Sequence, residues 1–215
     1  MELPPYDHKI SALFYFLFLI LVTSLGLAIV YYAEPFLFWE HAFSDLGNVV
    51  TLHGNSNTVS RAIFSIGLII ESFILFKIGA YYAGNSQFRN HRIKQWLAYI
   101  GATGFLISLY PNDLYHVIHS IGIGMVIGAL YLFTMIYHFE LRPVVSLRVF
   151  YLDLILVQMA IFPYAVAFFV DSIHKQSLQK FCIMGVFFAL LRIVSATEDG
   201  FVLREIISYF RRRST

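Results

Sequence analysis

Nearly unbroken apolar residues occupy about 10–32, 61–82, 93–110, 113–138, 149–170 and 181–195, with short polar stretches between them. Several of these runs exceed the roughly 18 residues that mark a membrane-spanning helix. No segment alternates apolar and polar residues over about 10 positions, as the strand of a membrane barrel would. The pattern predicts an all-α, polytopic bundle of six transmembrane helices, with residues 1–215 as one integral membrane domain.

The breaks between the runs carry their own signals. Pro111 disfavours helix in the residue before it and so ends the third run. Asn112 or Asp113 is placed to cap the fourth, and so short a link makes the two helices antiparallel neighbours. The longest break, 33–60, holds Glu34, Glu40, His41, Asp45 and His53 but no Lys or Arg. Its Ser44–Asn48 and Gly54–Asn57 stretches read as turns or helix caps. Phe36, Phe38, Trp39 and Phe43 suit a segment lying along the membrane interface. At the far end, Glu198 and Asp199 open an apolar-striped stretch that Arg211, Arg212 and Arg213 close, as a helix dipole favours. Residues 198–212 either continue the sixth helix or turn along the cytoplasmic surface as an amphipathic helix.

Composition agrees with the pattern. The chain is 59% hydrophobic and only 13% charged, against roughly 25% charged residues in a soluble domain. A net charge of +2 gives no sign of a nucleic-acid partner. The lone cysteine, Cys182, lies in an apolar run and reads as a small buried residue. The first run is longer than the core of a signal peptide and has no clear cleavage site, so it reads as a retained helix. Lys9, Arg89, Arg92, Lys94, Arg142, Arg148 and the terminal arginines fall on one side of a six-span topology. Arg61, Lys175 and Lys180 fall on the other. The positive-inside rule then places both termini in the cytoplasm. Gly101, Gly104, Gly122, Gly124 and Gly128 are small residues at which helices can approach closely.

Polar residues inside the apolar runs are the candidate chemistry. By the rise of a helix, His116 and His119 lie roughly 5–10 Å below the non-cytoplasmic surface and Glu71 about 15 Å below it. Asp113, His116 and His119 are spaced to share a helix face, with Ser120 nearby. An acid and two imidazoles on an open cleft are ligands for zinc, with one position left for a water that could attack a lipid amide or ester. His41, Asp45 or His53 would add a ligand or an outer partner. The spacing of the two histidines is not that of a helical zinc-protease motif. The competing reading is that they bond water, backbone carbonyls or lipid headgroups. Glu71 and Arg192 read as a buried ion pair between the second and sixth helices, since either alone is costly in lipid. Asp153, near a helix end, reads as hydrated.

Ser44, Asp45, Leu46 and Gly47, with Tyr110, Pro111, Asp113 and His116, carry a resemblance to a family of six-helix membrane proteins, the domain of unknown function 998. That family is related to the Frag/DRAM/Sfk group. The resemblance implies that Ser44, Asp45, Gly47, Pro111, Asp113 and His116 form a shared polar cluster, and that lipid is the natural ligand. Ser44, Asp45, Glu71, Asp113, His116, His119 and Arg192 make up the candidate ligand-binding set. Asp45, Asp113, His116 and His119 are the catalytic candidates, and Asp113, His116 and His119 the zinc candidates.

Three functions are consistent with these residues. The first is lipid handling through a polar pocket at the non-cytoplasmic side, with a membrane lipid as partner. The second is a metal-dependent intramembrane lipid hydrolase, and the third a small transporter. The residues are compatible with an enzyme and with a binding protein, and the plasma membrane is the default location.

Overall fold

The computed structural model describes residues 8–143, 145–170 and 172–193. Among them the chain is all-helical, with no strand beyond an isolated antiparallel bridge between Val50 and Ser56. The helices are α1 (His8–Val30), α2 (Thr58–Gly84), α3 (His91–Ile107), α4 (His116–Leu141) and α5 (Leu147–Phe169), followed by α6 (Lys175–Ile193). All but α3 are long and apolar enough to cross a membrane. The expectation of six spans is met in the number of helices but not in their length. At 17 residues, α3 reaches about 26 Å, short of the roughly 30 Å of bilayer hydrocarbon. The stretch 198–212 lies outside the described residues.

Consecutive helices run antiparallel, so the bundle has two ends. Residues 31–57 and the α3–α4 corner form one, called here the loop end. The other is the basic end. There Phe14 of α1 meets Phe133 of α4 edge-on at 5.5 Å between ring centres, and Arg192 of α6 meets Asp153 of α5. The start of α1 and the finish of α6 therefore share the basic end.

Glycines set the closest approaches. A Cβ at Gly67 of α2 would fall 2.5 Å from the Cβ of Ser24 on α1. A Cβ at Gly104 of α3 would fall 2.7 Å from the carbonyl oxygen of Gly122 on α4. Gly101, Gly104 and Gly122 thus pack helices as expected, but Gly124 and Gly128 do not: nothing lies within 4 Å of a Cβ at either. The buried stripe of α2 (Phe64, Leu68, Glu71, Leu75, Ile78, Tyr82) repeats at helical spacing and faces the core. Exposed Leu19, Ile66, Phe73, Leu132, Met159 and Phe162 cover the outside with apolar surface. So much exposed apolar surface belongs in lipid rather than water.

The basic end holds a charge pair that changes the reading of Lys94. Grouped by sequence with the basic residues of one side, Lys94 is 1% exposed and bonds Glu140 of α4 at 2.6 Å. Asn90 donates to the second Glu140 oxygen at 2.9 Å, and the Tyr137 ring lies 4.1 Å from the ammonium. A buried charge needs a partner and further hydrogen bonds, and Lys94 finds both because α3 lies between α2 and α4.

Candidate functional site

Residues 31–57 fold over the loop end as a hydrogen-bonded cap. Phe43–Gly47 is a 3-10 turn. The Asp45 side chain accepts from the Ala42 backbone N–H at 2.6 Å, fixing the entry to that turn. The Asn57 amide donates to the carbonyls of Leu46 and Asn48 at 3.1 and 3.2 Å, and the Ser60 hydroxyl to Leu46 at 3.2 Å. A Cβ at Gly47 would fall 2.8 Å from the Phe64 ring, so this turn lies directly on α2. Turn chemistry was legible at 44–48. That the segment is a plug rather than an interface strip was not, although Leu37, Phe38 and Trp39 do keep exposed faces.

Helix α6 holds the other side of the cap. Lys180, 1% exposed, donates to the carbonyl of Phe38 at 2.5 Å and to that of His41. Ser177 donates to the carbonyl of Trp39 at 3.2 Å, and Gln179 accepts from the Phe43 N–H at 3.1 Å. The sequence reading missed these residues because it started the sixth helix at 181. The signal was present: Gln176, Ser177, Gln179 and Lys180 are polar at one-turn spacing just before the apolar run.

Glu34 lies between His41 at 3.3 Å and His53 at 3.0 Å. Burial opposes its ionisation, but bonds from Thr51, His53 and His41 outweigh that and hold its pKa down at about 2. Asp45 is pushed upward by burial, against the Ala42 N–H, His41, Lys180 and Asn48. The Tyr32 hydroxyl is pushed up by burial and by the acids Asp45, Glu34 and Asp113.

The three expected zinc ligands do not converge. Asp113 lies before α4, which starts at His116, so it neither caps that helix nor shares its face. Its carboxylate accepts from the backbone N–H groups of Val49 and Val50 at 3.0 and 3.2 Å, and its own N–H donates to the Asn48 side chain at 3.2 Å. Asp113 is a clamp on the cap. Exposed His116 pairs with Asn112 at 2.8 Å. Buried His119 turns Nδ1 to the Tyr110 carbonyl at 2.8 Å, and its Nε2 has no partner among the described residues. Among the described residues no group of three or more His, Cys, Asp or Glu is placed to hold a metal. The zinc arrangement read from spacing therefore does not fit these side chains.

The Glu71–Arg192 pair does not form either. Arg192 bonds Asp153 at 2.6 Å, with its side chain 44% exposed. Asp153 is therefore paired rather than merely hydrated. Glu71 is fully buried, and neither carboxyl oxygen has a partner among the described residues. The sequence placed both side chains within apolar runs. It could not give direction, and Arg192 turns towards α5.

Beneath the cap lies an apolar chamber. Its walls are Leu21 and Leu25 of α1, Phe64 and Leu68 of α2, Phe105 of α3, Ile123, Val126, Ile127 and Leu130 of α4, and Ile183, Val186 and Phe187 of α6. Phe43, Ser44 and Gln179 reach it from the cap side. The centre of a water-sized sphere can move through about 40 Å³ of it. Of the candidate set, Ser44 alone lines this space. Asp45 and Asp113 hold the cap in place, and His116 stays outside. Comparison of the chain with protein-family models, curated proteins and solved structures finds no match.

Proposed function

We propose that this chain is a multi-pass integral membrane protein that binds a membrane lipid at the loop end of its bundle. An acyl chain or similar apolar group occupies the chamber, and the polar cap closes over it. The observation that carries this reading is the apolar chamber lying directly beneath a polar plug. An apolar cavity gives water no partners and favours an apolar occupant. Both termini are placed in the cytoplasm by the positive-inside rule, which puts the cap on the outer face of, by default, the plasma membrane. Membership of the domain of unknown function 998 family is part of the same proposal. The hydrolase reading gains nothing from the site, because its metal ligands point apart.

The test is lipid retention. Protein purified in mild detergent is expected to keep a bound lipid that native mass spectrometry resolves. Ile127→Trp puts a large ring into the chamber and should strip that lipid while helicity persists. Equal retention by both proteins would end the proposal.

A further inference from the structure

One turn beyond the chamber's wall on α2 stands a buried acid, Glu71, enclosed just outside the space itself. Phe64 and Leu68 of α2 line the space, and Glu71 follows one turn on along the same buried face. Ser24 of α1 packs against Gly67, so in this antiparallel pair Leu21, another chamber wall, comes level with the turn that holds Glu71. By helical rise Glu71 lies about 20 Å from the loop end of α2, at the middle of the bundle. Nothing among the described residues bonds either of its oxygens, although the neighbouring Ser72 is satisfied by the Ala102 carbonyl at 2.8 Å. A buried carboxyl without partners is rare and costly, and an ionisable group at that depth in a membrane protein ordinarily meets a partner. Its expected partner, Arg192, is engaged elsewhere.

We infer that Glu71 receives the polar end of the chamber's ligand, and that this end is a hydrogen-bond donor, a hydroxyl or an amine, on a single-chain amphiphile. The inference rests on the chamber being a lipid site. Apolar walls select the chain, and a lone acid one turn beyond them selects the end group. A hydroxyl or ammonium gives Glu71 the donor it lacks. An anionic end group brings only acceptors, and a buried charge with no cation to meet it.

Decanol, decylamine and decanoate share a chain and differ in end group. Native mass spectrometry of the full chain in detergent, titrated with each, counts the molecules bound. Decanol and decylamine should occupy the wild type, and decanoate should not. Glu71→Gln keeps a hydrogen-bonding end and should retain decanol while losing the preference for decylamine. Glu71→Leu should lower occupancy by both by about tenfold or more, the worth of a buried hydrogen bond to a charged or strongly polar group. Removing a buried acid favours the fold, so helicity is expected to persist in that variant. Decanoate binding as well as decanol, or Glu71→Leu binding both as wild type does, overturns the inference and leaves the chamber reading intact. If none of the three binds and Ile127→Trp also changes nothing, the chamber itself is not a lipid site and the inference fails with it.

Discussion

Glu34 shows how one side chain ties the cap together. Its carboxylate bonds His41 on one side and His53 on the other, which joins the two limbs of the 31–57 segment. Its folded pKa of about 2 lies below the ordinary glutamate value of roughly 4.3. Its contribution to the cap is therefore complete above the ordinary value and is lost as pH falls from there towards about 2. Asp45 has the opposite sign, because burial raises its pKa and the folded cap favours its protonated form. Amide exchange across 34–57, corrected for intrinsic rate, should accelerate as pH drops through that window in the wild type. The acceleration should be absent in Glu34→Gln, which keeps only the opposite dependence of Asp45. Acid loosening that is unchanged in the variant would show that Glu34 is not its source.

At the scale of elements, α3 and α4 are held by backbone contact where a side chain would intrude. A Cβ at Gly122 would fall 2.7 Å from the Ser108 nitrogen and 2.8 Å from the Gly104 oxygen, and neither atom can swing aside. Gly122→Ala should destabilise by about 1–3 kcal/mol, as overpacking does. Gly124→Ala, two residues on and facing open space, should leave the melting temperature unchanged or slightly raised. Thermal melting of the two variants side by side checks this, and equal shifts would refute the packing argument. The pair also marks where the sequence stops being legible. Apolar run lengths placed the helices, because a bilayer sets the length of a span. The face each residue takes depends on which helices are neighbours. For that reason Gly124 could not be told from Gly122, nor Lys94 recognised as buried, and Arg192 was assigned to Glu71 when it bonds Asp153.

For the whole molecule, the two ends differ in chemistry as well as in sequence. The loop end carries Glu34, Asp45 and Asp113, and exposed Arg89 and Arg92 stand at the basic end. Cys182 is fully buried, so an added surface thiol reports alone. In intact cells, Leu52→Cys is expected to react with an impermeant maleimide, and Arg89→Cys to react only after the membrane is opened. The reverse pattern would invert the proposed orientation. Element order and fold class were readable from hydropathy alone. The cap was readable only in its turns and in the polar start of α6, because the bonds from α6 and Asp113 join positions far apart in the chain and hydropathy does not say which of them meet.

That separation has a consequence for how the protein is made. The bond from Lys180 to Phe38 spans 142 positions. With elongation at roughly 5–20 residues per second, the Phe38 carbonyl emerges on the order of 7–28 s before its partner. The α6 side of the plug therefore cannot be fastened until α6 arrives, although Asp113, Asn57 and Ser60 can hold the other side earlier. In that interval the cap is held from one side alone.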